Sequence, residues 1–180
     1  MFALHARYRG RATRRADLVE RSAQALSTVA GVGAFESLGV EDIRARISTP
    51  EALCNVVMAL LSDGDWAIGI GLGDAALTEA TGSLSRAARP GTVSVGATEG
   101  VRGAEDIAAV FALLGQVLAK RTVEGREATS LVRGGLSQNE AAAELGISKQ
   151  AMSQRLQAAG WHAENAGWRL AVNLLRGAAG

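Results

Sequence analysis

The stretch LSQNEAAAELGISKQAMSQRLQAAGW, from Leu136 to Trp161, decides the fold of the C-terminal part of the chain. Ser137 stands three residues before Glu140, the spacing of a capping box, in which each residue satisfies a free backbone N–H of the other at a helix start. Gly146 ends the first predicted helix, because glycine adopts the left-handed backbone of a helix end without steric cost. Ser148 caps a second helix. The stretch therefore predicts two short helices joined by a tight turn.

The second predicted helix has an apolar side and a polar side. Ala151, Met152 and Leu156 keep a helical spacing and are expected to face inward. No acidic residue occurs between Ser148 and Gln157, whereas a merely solvated helix face usually mixes Glu with Lys. We therefore interpret the stretch as a helix-turn-helix whose second helix enters the major groove of DNA. A plain helical hairpin with a solvated polar face is the less favoured interpretation.

The same residues resemble the helix-turn-helix of sigma-factor region 4 and of LuxR-type regulators. In that subclass a Gly-Ile-Ser corner precedes the recognition helix, as Gly146-Ile147-Ser148 does here, and an Arg-Leu pair closes it, as Arg155-Leu156 does. Ala142 and Met152 match buried positions of the same pattern. The resemblance is confined to Leu136 to Trp161, and it implies a DNA-binding regulator.

Seven side chains are predicted to contact DNA. Lysine can donate to guanine O6 or N7, and glutamine can bind adenine through two hydrogen bonds. The residues predicted to read base edges are Lys149, Gln150, Ser153 and Gln154. Hydroxyl groups at helix starts and arginine side chains suit phosphate oxygens, and the helix N-terminal amides assist them. The residues predicted to bind phosphates are Ser137, Ser148 and Arg155.

Length and charge fit a larger domain followed by a small one. The chain has 180 residues and a net charge of +1, which argues against strong binding to any duplex but is compatible with specific binding. From Arg121 onward seven basic residues stand against five acidic ones, so the C-terminal part is slightly basic. We predict one domain over residues 1–121 and a DNA-binding domain over residues 122–180.

Composition gives little support for a metal site, a cofactor or a membrane segment. Cys54 is the only cysteine, and His5 and His162 are far apart in sequence without companion ligands. The first residues place apolar side chains before basic ones, the reverse of a secretory signal. No run approaches the roughly 18 apolar residues that a spanning helix needs. We therefore expect a cytoplasmic protein without cofactor, metal or membrane partner.

Before residue 122 the pattern predicts strands that alternate with helices. Strands are expected over residues 2–8, 35–40, 43–47, 66–73 and 92–96. Helices are expected over residues 17–29, 50–61, 78–89 and 104–121. This order predicts an α+β fold, with a ferredoxin-like N-terminal sheet that packs its helices on one face and an all-α helix-turn-helix domain after it.

Strand, helix, hairpin, helix, strand is also the order of nucleotidyl-cyclase-like palm domains. The N-terminal part further resembles SatD-type bacterial proteins, in which a similar first strand and an acidic hairpin precede such a helix and strand. Palm enzymes hold metal ions with carboxylates on the first strand and in the hairpin. Here the strand from Phe2 to Tyr8 has no carboxylate, so only Glu41 and Asp42 of the hairpin remain. The hairpin glycine, Gly39, lies one residue earlier than the glycine that directly adjoins the acidic residues in palm enzymes. We therefore predict a degenerate, non-enzymatic domain in which Glu41 and Asp42 form a solvated turn.

The segment Trp66 to Gly73 alternates large side chains with Ala and Gly. It predicts a strand whose glycine face lets another segment approach the backbone closely. Gly71 to Ala76 also fits the G-x-G-x-x-A pattern of dinucleotide-binding loops. In dinucleotide-binding proteins that pattern opens a helix inside a parallel βαβ unit near the start of a domain, and an acidic residue follows about 20 residues later. In this chain the corresponding window, Arg89 to Val95, contains no acidic residue. We favour a closely packed strand over a nucleotide site.

Two further features each have two interpretations. An N-terminal arginine cluster either contacts DNA phosphates beside the recognition helix or forms a solvated loop, and the sequence favours neither. Its members are Arg7, Arg9, Arg11, Arg14 and Arg15. In the C-terminal helix, Trp168 and Leu175 lie two turns apart on one face. We interpret them, with Trp161, as cover for the core of the C-terminal helical unit rather than as a contact with a second subunit.

These patterns together predict a sequence-specific, DNA-binding transcriptional regulator that reads two half-sites of double-stranded DNA as a homodimer. Its N-terminal domain is expected to sense an unidentified small-molecule or nucleotide effector, to dimerise, or to contact a partner. Two alternatives remain. One is a nucleotide-binding or cyclase-like enzyme with an appended DNA module, which would use Glu41 and Asp42. The other is a protein-interaction module that contacts RNA polymerase.

Overall fold

A five-stranded sheet and the helices around it form the larger part of the structure, a computed structural model that describes residues 1–179. The strands are β1 (Phe2–Tyr8), β2 (Glu36–Ser37), β3 (Asp42–Ile47), β4 (Trp66–Leu72) and β5 (Val93–Ala97). The helices of the sheet region are α1 (Arg15–Ser27), α2 (Pro50–Asp63), α3 (Ala76–Ser83) and α4 (Ala104–Ala119). The helices that follow are α5 (Val123–Arg133), α6 (Gln138–Glu144), α7 (Lys149–Ala158) and α8 (Trp161–Ala179).

The sheet has the strand order β2-β3-β1-β4-β5. The central strand β1 is antiparallel to β3 and β4, and β2 is antiparallel to β3. The first four strands with α1 and α2 therefore have the ferredoxin-like order that the sequence predicts. Helix α3 then returns the chain so that β5 lies parallel to β4 at the sheet edge. The α+β fold class is confirmed, with one parallel β4-α3-β5 unit added to the ferredoxin-like sheet.

The two faces of the sheet are covered by different helices. Successive side chains of a strand point to opposite faces, so Phe2 and Leu4 of β1 face one side and Ala3 and His5 the other. Phe2 and Leu4 belong to the main core, the buried cluster that also contains side chains of α1, α2, α4 and α8. Ala3 packs instead with Ala76 of α3. The prediction that all helices share one face holds for α1, α2 and α4 and is wrong for α3.

Glycines on the second face explain why α3 lies so close to the sheet. A Cβ on Gly71 would overlap the carbonyl oxygen of Ala76, and a Cβ on Gly69 would overlap that of Ala80. On β5, a Cβ on Gly96 would lie 2.6 Å from the carbonyl oxygen of Glu79. The predicted glycine face is thus confirmed, and the segment that approaches it is the backbone of α3.

Helix α8 joins the two hydrophobic cores of the structure. Ala171, Val172 and Leu175 are buried in the main core. At its other end, Trp161 packs against the helical core, the smaller buried cluster. The members of the helical core are Ala128, Ala141, Ala142, Met152 and Leu156. Leu175 and Trp168 do cover a core, but it is the main core next to the sheet and not the core of the C-terminal helical unit, because Leu175 is fully buried there and Trp168 packs against it. The boundary between residues 121 and 122 stays a prediction.

Two predicted elements are shorter in the structure. The strand expected over residues 35–40 is reduced to Glu36–Ser37, because β2 is an edge strand that pairs only with Arg44 and Ile43. The helix expected over residues 78–89 ends at Ser83, and Leu84 after it is extended and buried. The segment around β2 is exposed and has few neighbours to extend the strand, whereas burial of Leu84 ends α3. Within residues 1–179 no helix combines the length and apolar character that crossing a bilayer requires.

Candidate nucleic-acid interface

The start of α6 is fixed by the capping box that the sequence predicts. The Ser137 Oγ accepts a hydrogen bond from the Glu140 backbone N–H at 3.3 Å, and the Glu140 Oε2 accepts one from the Ser137 N–H at 2.8 Å. Hydrogen bonds from the Ser137 side chain and the Ser137 backbone N–H to the Glu140 carboxylate hold the pKa of Glu140 below its ordinary value. A carboxylate therefore already occupies the first amides of α6. It makes the predicted phosphate contact at Ser137 less favourable than the sequence alone implies.

The turn between α6 and α7 has the predicted geometry. Gly146 has a φ of 63°, the left-handed conformation that glycine adopts freely. The Ile147 N–H donates to the Ala142 carbonyl at 3.0 Å, and the Ile147 side chain packs against the helical core. Ser148 then caps α7, because its Oγ accepts a hydrogen bond from the Ala151 N–H at 3.1 Å. The turn therefore fixes where α7 begins.

The inner side of α7 is held by the helical core. Met152 and Leu156 are buried, and they pack with Ala128 of α5 and with Ala141 and Ala142 of α6. Small side chains on α6 leave room for the larger ones of α7. The inward positions predicted for Met152 and Leu156 are confirmed. Helix α7 is therefore supported along its inner side by two other helices.

The outer side of α7 brings the predicted base-reading residues together. Lys149, Gln150, Ser153 and Gln154 are all exposed. Their positions, i, i+1, i+4 and i+5, place them on one helix face. The first turn of α7 contains no acidic residue. This surface, which we call the α7 face, is therefore polar, free of carboxylates and open to solvent.

Arg155, the predicted phosphate ligand on α7, is only partly exposed. It lies near the start of α5, where Glu124 is located. The pKa of Glu124 is lowered by its hydrogen bonds with backbone amides and with Thr122, and to a smaller extent by the positive charge of Arg155. Arg155 therefore has an acidic neighbour within the protein, a feature that the pattern around α7 did not reveal.

A buried ion-pair cluster lies behind the helix-turn-helix. Glu164 of α8 is 4% exposed and accepts hydrogen bonds from Arg121 and, at 2.6 Å, from Arg133. Arg121 also donates to the Ala159 carbonyl at 2.8 Å, so it ties the end of α4 to the segment between α7 and α8. The Arg133 guanidinium lies 5.8 Å from the centre of the Trp161 ring. This cluster connects α4, α5 and α8.

Our sequence reasoning missed this cluster. One signal could have found Glu164, because it shares a helix face with Trp161 and Trp168 at positions i, i+3 and i+7. An acidic residue between two tryptophans on one face is expected to be partly buried, and a buried carboxylate needs a basic partner. No comparable signal identifies Arg121 or Arg133 as that partner.

The acidic hairpin is not the solvated turn that we predicted. Asp42 Oδ1 lies 2.7 Å from His5 Nε2 and 2.7 Å from Arg7 Nε. Glu41 pairs with Arg15 at 2.6 Å and lies 3.5 Å from Arg9. Both carboxylates are largely shielded, because basic side chains of β1, of the following loop and of the first residue of α1 contact them. Tertiary ion pairing decides the environment of this hairpin.

The basic partners of the hairpin have environments that the sequence patterns did not reveal. His5 is buried, and this burial lowers its pKa although the hydrogen bond to Asp42 opposes the shift. In the arginine cluster, Arg7, Arg9 and Arg15 bind the hairpin carboxylates, which neither interpretation included, whereas Arg11 and Arg14 are exposed. Within residues 1–179 no three His, Cys, Asp or Glu side chains lie close enough together to hold a metal ion.

The G-x-G-x-x-A segment has a different context from the one that we expected. It follows β4 and leads into α3 inside a parallel β4-α3-β5 unit, the arrangement in which such loops bind dinucleotides. The expectation that the segment lies outside a parallel βαβ unit is therefore wrong, whereas its late position in the chain order and the lack of an acid in residues 89–95 remain as expected. However, the space beside Gly71 is filled by the Ala76 carbonyl. A pyrophosphate has no access to that backbone, so the close packing of a strand explains Gly71.

Comparisons with known proteins leave the family open. No family model matches the chain, and no curated protein matches it. Among solved structures, the chain is similar to a regulator of polyketide synthase expression from Bifidobacterium adolescentis, with 17% identity over 97% of this chain and 84% of that chain. The TM-score of this pair is 0.26, a value that supports no conclusion about fold or function. The resemblances to sigma-factor region 4, to LuxR-type regulators and to SatD-type proteins stay predictions.

Proposed function

We propose that this chain is a sequence-specific, DNA-binding transcriptional regulator that inserts α7 into the major groove of double-stranded DNA. The observation that carries the proposal is the α7 face, which exposes four polar side chains and no acid directly above the buried Met152 and Leu156. A helix supported in this way can present its outer side chains in a fixed register. We place the protein in the cytoplasm, and enzymatic activity is not part of the proposal.

The base contacts are assigned to the exposed side chains at the N-terminal half of α7. Lys149 is assigned to guanine O6 or N7, and Gln150 and Gln154 to adenine edges, which glutamine contacts through two hydrogen bonds. Ser153 stands between them and can donate to or accept from either base type. Each good two-bond contact discriminates by about 1–3 kcal/mol against a wrong base.

The phosphate contacts are assigned to both helix starts and to Arg155. Ser148 is favoured over Ser137, because the first turn of α7 has no acid whereas Glu140 occupies the first turn of α6. Arg155 is assigned a phosphate at the edge of the α7 face, where binding would require it to turn away from Glu124. These phosphate contacts would fix the orientation of α7 on the duplex without distinguishing one base sequence from another.

A homodimer is part of the proposal, because one helix-turn-helix covers only a short site. Two copies reading half-sites about 34 Å apart would double that site. The N-terminal domain would then dimerise or sense a ligand. Sedimentation of the protein alone and bound to its best duplex measures the oligomeric state. A monomer in both states would contradict the dimer but not the assignment of base contacts to α7.

The proposal is tested by selecting bound duplexes from a random-sequence DNA library near 0.15 M salt. The wild type is compared with the variant Lys149→Ala/Gln150→Ala/Gln154→Ala. A matched control replaces the same residue types at exposed helix positions elsewhere, Gln24→Ala/Gln116→Ala/Lys120→Ala. We expect one sequence motif to be enriched by the wild type and the control and to vanish with the α7 variant, because only that variant lacks base contacts.

Enrichment of the same motif by the α7 variant would contradict the assignment of base reading to α7. No enrichment by any of the three proteins would contradict DNA binding as a whole. In that case the alternative of a protein-interaction module gains support if the α7 variant loses RNA polymerase in a pulldown and the control retains it.

A further inference from the structure

A cavity of about 440 Å³ lies between α2 and α8, next to the end of α5. Its volume is within the range of small-molecule sites. Met58 of α2 and the tryptophans of α8 give it apolar walls, and Asn55, Arg133 and Glu164 add polar groups. The cavity therefore lies where the sheet domain meets the helix-turn-helix, and neither the α7 face nor the acidic hairpin contributes to it.

The apolar walls of the cavity favour a planar aromatic ligand. Trp161 and Trp168 both line it, and both are only partly buried by the rest of the protein. The Trp168 Nε1 donates to the Asn55 Oδ1 at 3.0 Å, which fixes the orientation of the ring. Exposed tryptophan faces that line a concave site prefer flat rings, with which they stack at offset or edge-to-face geometry.

The charges at the cavity favour an anion. Glu164 is paired with two arginines, so Arg121, Arg133 and Glu164 together carry one net positive charge. Arg121 is buried, whereas the Arg133 side chain is 46% exposed and lines the cavity. Within the described residues Arg133 makes one hydrogen bond, through Nη2 to Glu164, and its Nε and Nη1 donors, on different edges of the guanidinium, are left for another acceptor. Arginine donates strong, charge-assisted hydrogen bonds to carboxylates.

We propose that the cavity between α2 and α8 is a binding site for a small aromatic carboxylate, with its ring against Trp161 and Trp168 and its carboxylate on Arg133. Binding would also alter the contact between Arg133 and Glu164, which ties the end of α5 to α8. A ligand there would therefore change how the helix-turn-helix is held. This regulatory consequence rests on the proposed DNA-binding function, whereas the binding site itself does not.

The test follows the three indole N–H signals in ¹⁵N-labelled full-length protein. The probes are 1-naphthoate, its neutral analogue 1-naphthamide, and cyclohexanecarboxylate, an anion without an aromatic ring. Substitution of each Trp by Phe assigns the signals. We expect 1-naphthoate to shift the Trp161 and Trp168 signals and to leave Trp66 unchanged, because Trp66 is buried in the main core with its Nε1 donating to Asp63. The other two probes are expected to bind at least about tenfold more weakly, because each lacks one of the two contacts.

A paired substitution locates the carboxylate. Arg133→Gln is expected to weaken 1-naphthoate about tenfold and to leave 1-naphthamide unchanged. The control Arg169→Gln, at an exposed position of α8 that does not line the cavity, is expected to change neither. Equal affinities of wild type for 1-naphthoate and 1-naphthamide, or no indole shift at millimolar 1-naphthoate, would overturn the proposal. These two results do not depend on how well the Arg133 variant folds.

The regulatory consequence has its own readout. Retention of a selected duplex is measured with and without saturating 1-naphthoate, and we expect at least a threefold change in affinity that cyclohexanecarboxylate does not cause. If the indole signals shift but affinity for the duplex is constant, the site stands and the coupling is refuted. If no duplex is retained under any condition, the proposed function fails, whereas the indole signals still decide the site.

Discussion

At the scale of single residues, Gly71 decides how closely α3 can lie on the sheet. We predict that Gly71→Ala destabilises the protein by about 3 kcal/mol, because the added methyl group overlaps the Ala76 carbonyl and the backbone must shift. The matched control is Gly82→Ala in α3, where a Cβ meets no atom within 4 Å. This control is expected to be stabilising by about 0.5 kcal/mol, because Ala favours a helix. Urea unfolding measures both, and equal stability of the two variants would contradict the close packing.

Some residue environments could be predicted from the sequence and others could not. The glycine face of β4 was predictable, because strand alternation depends only on neighbouring residues. The environment of Asp42 was not, because His5 lies 37 residues away in sequence and reaches it only through the pairing of β1 with β3. The environment of Cys54 was not predictable either. Burial in the main core raises the pKa of its thiol to about 12, and no local sequence pattern indicates this shift.

At the scale of elements, the caps of α6 and α7 could be read from the sequence because each cap involves residues within four positions of one another. We predict that Ser148→Ala destabilises the protein by about 1 kcal/mol, because the Ala151 N–H loses its acceptor. Ser153→Ala, an exposed position within the same helix, is the control and is expected to change stability by less than about 0.5 kcal/mol. Chemical unfolding distinguishes them, and a harmless Ser148→Ala would refute the cap.

Helix starts also predict how stability depends on pH. Glu51, Glu124 and Glu140 lie in the first turns of α2, α5 and α6, and each has a pKa below the ordinary 4.5. Backbone amides and then Arg176 lower it for Glu51, backbone amides and then Thr122 for Glu124, and the Ser137 side chain and then the Ser137 amide for Glu140. The unfolded chain therefore takes up protons at a higher pH than the folded protein does. Their contribution is present above pH 4.5 and is lost as the pH falls through the lowered folded pKa values.

The measurement is the midpoint temperature of thermal unfolding, recorded at several pH values from 6 to 3. It compares the wild type with Glu51→Gln/Glu124→Gln/Glu140→Gln. We expect the wild type to lose stability more steeply than the variant below pH 4.5, because Gln does not titrate. Parallel curves for the two proteins would show that these carboxylates do not contribute to the acid dependence.

At the scale of the whole molecule, α8 and the ion pairs around Glu164 connect α5, α6 and α7 with the sheet and its helices. The alternation of strands and helices predicted a ferredoxin-like arrangement of the first four strands, because it reflects local periodicity and short connections, but not the added parallel strand β5. The packing of these two groups of helices against each other was not predictable. Arg121 and Glu164 are 43 residues apart in sequence, and no residue near either one identifies the other as its partner. The position of the cavity beside Arg133 follows from the same long-range contacts.

We predict that Arg121→Met destabilises the whole molecule by about 3–5 kcal/mol, because Glu164 stays buried with only the half-exposed Arg133 as a partner. Arg169→Met, on the exposed side of α8, is the control and is expected to cost less than about 0.5 kcal/mol. Unfolding followed by far-UV circular dichroism gives both values. A loss below about 1 kcal/mol for Arg121→Met would contradict the structural importance of the cluster.

The assignment of base reading to α7 is tested most directly by a specificity ratio. Fluorescence anisotropy near 0.15 M salt would compare the affinity for a selected duplex with that for a scrambled duplex of the same composition. We predict a ratio of at least about 10³ for the wild type and for Gln24→Ala/Gln116→Ala/Lys120→Ala. The ratio is predicted to fall towards unity for Lys149→Ala/Gln150→Ala/Gln154→Ala. An unchanged ratio in that α7 variant, or a ratio near unity in the wild type, would contradict the account.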